Sequence, residues 1–168
     1  MSSDERGSDQ SGPTTYNLLF VCTGNTCRSP LAMVIARDEA ERRAWKHIAV
    51  ESAGVAAAPG APASEGAVQV AAERGLDLST HTSRPLTREL VEWADLVLAM
   101  SASQIIGVVE LGGAEKVALI TDFIEGEGRG DPVEDPFGAD AEAYRRTFDQ
   151  LRQAVAGVFD RLTPILAP

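Results

Sequence analysis

The chain has 168 residues, of which 44% are hydrophobic, and this length and composition predict a single globular domain. Its formal net charge of −10 at pH 7 argues against nucleic acid or an anionic membrane surface as a partner, because basic surfaces bind those polyanions. No apolar stretch approaches the roughly 20 residues of a membrane span, and the polar N-terminus lacks a signal-peptide core. We therefore expect a cytoplasmic, monomeric protein.

Residues 1–14 contain no apolar residue after Met1, so they are predicted to form a disordered tail that precedes a domain at 15–168. From Tyr16 onward, short apolar runs alternate with longer helical patterns, which predicts a parallel β-sheet with helices on both faces. In chain order the predicted elements are strand 16–22, helix 30–45, strand 47–52, helices 63–75 and 87–94, strand 95–100, helix 101–111, strand 115–120 and helix 140–163.

The first strand leads into a turn-rich loop and then into a helix. Residues 22–29 read Cys-Thr-Gly-Asn-Thr-Cys-Arg-Ser. Such a loop points backbone N–H groups inward, and the helix adds the positive end of its dipole, so the loop is suited to hold a phosphate. Gly24 and Asn25 tolerate the positive φ that a loop around an anion requires. Ser29 is placed to cap the helix, with Pro30 at its first position.

Cys22 and Arg28 place a nucleophilic sulfur and a planar guanidinium on the same anion loop. The helix N-terminus, the inward amides and the arginine favour the thiolate of Cys22, and the Ser29 hydroxyl can donate a hydrogen bond to it. A Cys–x5–Arg pair in this position predicts a phosphatase that forms a phosphocysteine. The alternative interpretation is an inert buried cysteine beside a surface arginine.

The chain contains only two cysteines, Cys22 and Cys27, and its two histidines, His47 and His81, lie far from them in sequence. We therefore expect no metal site and no cofactor. Cys27 is expected to pack or to serve as a redox partner rather than to take part in the chemistry. A reversible Cys22–Cys27 disulfide that protects or regulates the nucleophile is the favoured interpretation of the pair.

Apolar patterns further along the chain identify its core. The predicted strands 95–100 and 115–120 are nearly continuous apolar runs, which is typical of strands buried on both faces. The last helix carries one apolar stripe, which predicts its buried face. The residues of this stripe are Tyr144, Phe148, Leu151, Val155, Val158, Phe159 and Leu162.

Hydrolysis through a phosphocysteine also requires an acid that protonates the leaving group and later acts as a base toward water. Two Asp-Pro pairs, at Asp131 and Asp135, precede the last helix, and the proline restricts the backbone of the aspartate before it. Spacing does not choose between the two aspartates. A solvated acidic turn explains either of them equally well.

Together these segments resemble the low-molecular-weight protein tyrosine phosphatase family, in which Cys-x4-Cys-Arg-Ser-Pro follows the first strand and an Asp-Pro-aromatic loop precedes the last helix. The resemblance extends over 16–163 and includes the segments 51–55, 81–84 and 94–100. It implies a three-layer α/β fold with a four-stranded parallel sheet in the order 2-1-3-4, helices on both faces and a phosphatase P-loop after strand 1. It also implies phosphorylated proteins as substrates.

The resemblance implies roles for individual residues. Cys22 is the nucleophile, Arg28 binds the phosphate and Ser29 stabilises the thiolate. Asp135, rather than Asp131, is the acid, because the sequence Asp-Pro-Phe-Gly that begins there matches the acid loop of the family. The phosphate-binding loop then consists of Thr23, Gly24, Asn25, Thr26, Cys27, Arg28 and Ser29.

The same resemblance implies a group of residues that support the loop. Asn25 is expected to hold its shape, with Ser52 and His81 as hydrogen-bond partners. Taken alone, a histidine such as His81 is more often structural, so its assignment to the site rests on the resemblance.

Thr26 bears on the choice of substrate. Tyrosine-specific members usually carry a larger aliphatic residue there, whereas the protein arginine phosphatase branch carries threonine, as this chain does, and residues 87–100 also resemble that branch. A hydroxyl makes one wall of the pocket polar, which suits an N–H-rich guanidinium or the attacking water. Phe137 could flank either a tyrosyl ring or a guanidinium plane. We expect phosphoarginine in proteins as the substrate. The alternative substrate is phosphotyrosine, and Thr26 would then be a size-neutral loop residue.

Two further hypotheses use the same loop. Arsenate reduction normally needs additional cysteines to relay a disulfide outward, and this chain offers only Cys27 beside Cys22. A phosphocysteine carrier or anion sensor needs neither a loop arginine nor a positioned acid, and both are present. Hydrolysis of a phosphorylated protein side chain is therefore favoured.

Overall fold

The computed structural model describes residues 15–167, so the predicted tail at 1–14 lies outside the described residues. None of the helices within 15–167 is long and apolar enough to cross a membrane. The elements are β1 (Tyr16–Cys22), α1 (Arg28–Arg42), β2 (Ile48–Gly54), α2 (Glu65–Glu73), α3 (Arg88–Trp93), β3 (Leu96–Ala99), α4 (Ala102–Glu110), β4 (Val117–Leu119), a 3-10 helix (Ile120–Phe123) and α5 (Ala141–Leu166).

The four strands form one parallel sheet in the order β2-β1-β3-β4. Side chains of the central strand β1 alternate between the two faces. Leu18 and Phe20 pack into a core with α1, α2 and α5, whereas Leu19 and Val21 pack into a smaller core with α3 and α4. The predicted strand order and the helices on both faces are confirmed.

This strand order determines where a ligand can bind. The connection from β1 leads to β2 on one side, while β3 lies on the other side of β1. Loops at the carboxyl ends of the two central strands therefore separate and leave a crevice, which is the usual ligand site in open parallel sheets. The loop after β1 lies at this point.

The start of α1 differs from the prediction. The helix begins at Arg28, its N-cap residue is Cys27, and no side chain caps it. The prediction of Ser29 as the cap was wrong, because its hydroxyl lies 2.9 Å from the sulfur of Cys22 instead. Pro30 is consequently the third helical residue, where its missing N–H still costs no helical hydrogen bond.

The other predicted elements are present in the predicted order; β1 has the predicted ends, and the ends of the others differ by one to three residues. Helix α1 stops at Arg42 rather than at residue 45, since Ala44 adopts a left-handed backbone conformation with φ of 59°. Strand β2 continues to Gly54. The apolar stripe of α5 is buried along its whole length, as predicted.

Strand β4 corrects the prediction for 115–120. It is only three residues long, and each of them is partly exposed. The expectation of a strand buried on both faces was wrong because β4 is the edge of the sheet. Ile120 already begins the 3-10 helix, which the sequence pattern did not predict.

The buried face of α5 leads to a stability prediction. Phe148 is fully buried in the larger core, whereas Phe137 is 70% exposed. We expect Phe148→Ala to lower the free energy of unfolding by about 3–5 kcal/mol, because it removes buried contacts and leaves a cavity. The matched change Phe137→Ala should stay within about 0.5 kcal/mol of the parent. Urea unfolding followed by circular dichroism measures both, and equal losses would contradict the assigned core.

Candidate active site

Residues 22–29 form a loop between β1 and α1 that borders a cavity of about 230 Å3. Side chains from this loop and from the segment before α5 meet there. The cavity is lined by Cys22, Thr23, Gly24, Thr26, Cys27, Arg28, Asp135 and Phe137. Four other predicted residues do not line the cavity. They contact one another or the far side of the loop, and they are Asn25, Ser29, Ser52 and His81.

The sulfur of Cys22 has two polar neighbours, although the residue itself is buried. The hydroxyl oxygen of Ser29 lies 2.9 Å from the sulfur, and the backbone N–H of Asn25 donates to the sulfur at 3.3 Å. Hydrogen bonds of this kind favour a negatively charged sulfur over a neutral one.

The orientation of the Asn25 amide decides which way the Ser29 hydroxyl points. The backbone N–H of Arg84 donates to Asn25 Oδ1 at 2.9 Å, and because an N–H can only donate, this contact identifies the oxygen. Asn25 Nδ2 therefore donates to the Ser29 oxygen at 2.8 Å and to the Ser52 oxygen at 3.0 Å. The hydroxyl hydrogen of Ser29 remains free to donate to Cys22, which is closer to it than its other acceptor, the carbonyl of Ala53 at 3.4 Å.

The backbone of Asn25 is held as firmly as its side chain. Its φ is 57°, in the left-handed region that asparagine tolerates better than most residues. Its carbonyl accepts a hydrogen bond from His81 Nε2 at 2.9 Å. The end of β2 packs closely against the loop that carries Asn25. A Cβ on Gly54 would lie 2.5 Å from the carbonyl oxygen of Thr23. Only glycine fits at that position without moving the loop.

The surroundings of His81 hold its pKa below the ordinary value of 6.5. Burial lowers its pKa, the guanidinium groups of Arg37 and Arg84 lower it further, and the hydrogen bond to Asn25 opposes both effects. Since the Asn25 carbonyl can only accept, the proton of the neutral ring lies on Nε2.

Arg28 connects the loop to the segment that carries the predicted acid. Its Nη1 donates to the carbonyl of Val133 at 3.3 Å, and its Nη2 lies 3.7 Å from Asp135 Oδ2. The Arg28 side chain is buried, whereas that of Asp135 is more than half exposed. Asp135 is among the cavity-lining residues and Asp131 is not.

Cys27 lies beside a pair of hydroxyl groups that the sequence analysis did not assign to the site. Its sulfur is 3.1 Å from Ser64 Oγ and 3.5 Å from the Tyr144 hydroxyl, and these two oxygens are 3.0 Å apart. Burial raises the pKa of Tyr144 to about 12, so its phenol remains protonated. The N–H of Ser64 also donates to the carbonyl of Thr26 at 2.9 Å. Both cysteines are free thiols in this structure.

Gln104 is a second residue that the sequence analysis missed. It is buried, its Oε1 accepts from the N–H groups of Met100 and Ser101, and its Nε2 donates to Thr23 Oγ1 at 3.0 Å. The signal was present in the sequence, because Ser101 and Gln104 have the spacing of a helix capping box. Only the fold shows that this cap also contacts the phosphate loop.

The sequence matches the family model described as low molecular weight phosphotyrosine protein phosphatase over residues 17–164. The chain belongs to this family. It is therefore a cysteine-dependent protein phosphatase.

Individual members of the phosphatase family show the degree of similarity. The protein-arginine-phosphatase of Bacillus subtilis is 42% identical over 139 residues, which cover 82% of this chain and 90% of that protein. A probable low molecular weight protein-tyrosine-phosphatase, EpsP of Ralstonia nicotianae, is 33% identical over 138 residues, with coverage of 82% and 90%. A solved structure of the YwlE arginine phosphatase, a cysteine-to-serine mutant with a phosphorylated active-site serine, has a TM-score of 0.82 at 36% identity and covers 89% of this chain and 97% of that chain.

The pKa of His81 predicts how the stability of this phosphatase depends on pH. Because that pKa is lower in the folded chain than its ordinary value of 6.5, the unfolded chain binds more protons as the pH falls through 6.5. The free energy of unfolding should therefore decrease as the pH is lowered from about 6.5 to about 5. His81→Gln keeps a donor for the Asn25 carbonyl without titrating, so it should flatten this dependence.

The matched control is His47→Gln, because His47 is the other histidine of the chain and is exposed. Urea unfolding at a series of pH values compares the two variants with the parent. If His47→Gln flattened the pH dependence of the free energy of unfolding as much as His81→Gln, that result would contradict the assignment of the dependence to His81.

Proposed function

We propose that this phosphatase hydrolyses phosphoarginine in proteins through a phosphocysteine on Cys22. The observation that carries the choice of substrate is Thr26, which lines the same cavity as Cys22. A hydroxyl wall can accept hydrogen bonds from the N–H groups of a guanidinium, which a tyrosyl ring lacks. The likeness to a protein-arginine-phosphatase at 42% identity supports the same substrate.

In the first step the thiolate of Cys22 attacks phosphorus, and the bond between phosphorus and the guanidine nitrogen breaks. The loop N–H groups and Arg28 bind the phosphate oxygens. Asp135 donates a proton to the departing nitrogen, so that arginine leaves as a cation. The phosphorylated active-site serine in the YwlE mutant supports a covalent step of this kind.

In the second step a water molecule attacks the phosphocysteine, and the bond between phosphorus and sulfur breaks. Asp135, now ionised, takes the proton of the water. Cys22 leaves as a thiolate, which the hydroxyl of Ser29 and the N–H of Asn25 are placed to stabilise. Inorganic phosphate is released and the free thiolate is regenerated.

Phosphotyrosine is the second candidate substrate. Phe137 borders the cavity and is 70% exposed, so it is available to pack against an aromatic ring.

A monomeric state, a cytoplasmic location and a regulatory Cys22–Cys27 disulfide also stay predictions.

Exchange of Thr26 tests the substrate. We expect Thr26→Ile to lower kcat/KM for a phosphoarginine peptide and to raise it for the matching phosphotyrosine peptide, with about a 10- to 100-fold change in the ratio. The reason is that the isoleucine removes a hydrogen-bond acceptor and adds apolar contact. Initial rates of phosphate release measure both, with Cys22→Ser as the inactive blank. An equal or stronger preference of Thr26→Ile for phosphoarginine would refute the role of Thr26.

Exchange of the two aspartates tests the acid. We expect Asp135→Asn to lower kcat by about 10²- to 10⁴-fold, because the amide can neither donate the proton nor take one from water. The loss should be smaller for p-nitrophenyl phosphate, whose leaving group needs little protonation. Asp131→Asn is the matched control and should stay close to the parent, since Asp131 is not a cavity-lining residue. Similar losses in the two variants would contradict the assignment of Asp135.

A further inference from the structure

Gln104 determines how the hydroxyl group of Thr23 can be used. The backbone N–H groups of Met100 and Ser101 donate to Gln104 Oε1 at 3.0 and 2.8 Å. Because an N–H can only donate, these two contacts identify the oxygen of the amide. The other end of the amide, Nε2, therefore donates to Thr23 Oγ1 at 3.0 Å. Gln104 is 1% exposed, so its amide is shielded from water in this orientation.

The direction of this hydrogen bond leaves the hydroxyl hydrogen of Thr23 available. A hydroxyl oxygen that accepts from an amide N–H keeps its own hydrogen for another acceptor. Within residues 15–167 the Thr23 hydroxyl has no further hydrogen-bond partner. Thr23 is exposed and lines the same cavity as Cys22 and Asp135. The wall of the cavity thus includes a residue with an unused hydrogen-bond donor.

Gln104 is also connected to the segment that carries the acid. Its oxygen is held by the N–H of Met100, and the carbonyl of Met100 accepts from the N–H of Val133 at 2.9 Å. The carbonyl of Val133 in turn accepts from Arg28 Nη1 at 3.3 Å. Since Arg28 and Thr23 belong to the same loop, these hydrogen bonds form a closed ring. The ring holds the Thr23 side chain in a defined position relative to the guanidinium that is predicted to bind phosphate.

We propose that the Thr23 hydroxyl donates a hydrogen bond to a phosphoryl oxygen of the substrate, and that Gln104 is the positioning residue that orients this hydroxyl. The proposal adds a side-chain donor to the backbone N–H groups of the loop. It rests on the proposed function for the phosphoryl group in the cavity, but not on the choice of phosphoarginine. In phosphoarginine and in phosphotyrosine alike, the phosphoryl oxygens are charged acceptors, and hydrogen bonds to charged acceptors are strong.

Removal of the hydroxyl group tests its contact with the phosphoryl group. We expect Thr23→Val, which keeps the shape of the side chain, to lower kcat/KM for p-nitrophenyl phosphate by about 10-fold. The inhibition constant of inorganic phosphate should rise by a similar factor. Thr23→Ser retains the hydroxyl group and should recover most of the loss. Thr15→Val is the matched control, because Thr15 is exposed and precedes β1, whose opposite end carries Cys22.

Reversal of the hydrogen bond tests the role of Gln104. In Gln104→Glu a carboxylate still accepts from the N–H groups that cap α4, but it cannot donate to Thr23. The Thr23 hydroxyl then donates to the carboxylate and is lost to the substrate. Because the new charge also repels phosphate, the decisive measurement is the effect of Thr23→Val in two backgrounds. We expect a loss of about 10-fold in the parent and almost none in Gln104→Glu.

Three outcomes would overturn the proposal. These are parent kinetics and parent phosphate inhibition in Thr23→Val, a loss in Thr23→Ser as large as in Thr23→Val, and an equal effect of Thr23→Val in both backgrounds. Since Thr23 is exposed, its two variants should fold, and circular dichroism checks this for every variant. The proposed function fails by different results, namely an active Cys22→Ser or a parent enzyme that does not release phosphate from phosphoarginine peptides.

Discussion

The shape of the phosphate loop depends on Asn25, which is fully buried with a left-handed backbone. Its amide, its N–H and its carbonyl make five hydrogen bonds to groups from four segments of the chain. A buried amide with unmet hydrogen bonds is costly, so each partner holds the loop in this one arrangement. Through the N–H of Arg84 the arrangement also orients Ser29 toward the sulfur of Cys22. A contact on the far side of the loop thereby orients a hydroxyl group toward Cys22, the proposed nucleophile.

The two halves of the site differ in how firmly they are held. Most residues of the phosphate half are buried, and the loop is joined to the sheet, to α4 through Gln104 and to the N-cap of α2 through Ser64. The half that is proposed to meet the rest of the substrate is exposed, as the side chains of Asp135 and Phe137 show. The segment that carries them contacts the loop through Arg28. In the proposed mechanism the nucleophile Cys22 and the substrate-selecting Thr26 belong to the phosphate half, whereas the acid Asp135 belongs to the exposed half.

Most of the fold was predictable because its signals are local. The alternation of strands and helices, the apolar stripe of α5 and the strand-loop-helix signature at 22–29 each follow from neighbouring residues. The errors arose where a distant partner competes with a local preference. Ser29 has the chemistry of a helix cap but turns to Cys22, and β4 is apolar enough for a central strand yet lies at the edge of the sheet.

The sequence by itself predicted phosphocysteine chemistry, because Cys22, Arg28 and Ser29 lie within one short segment of the chain. It could not choose between Asp131 and Asp135 without a resemblance, and it assigned Tyr144 to the core alone. The tertiary structure decided which aspartate borders the cavity and which distant groups complete the loop. The physical reason is that hydrogen bonds between residues far apart in the chain depend on how the helices pack on the sheet, and no spacing in the sequence encodes those distances.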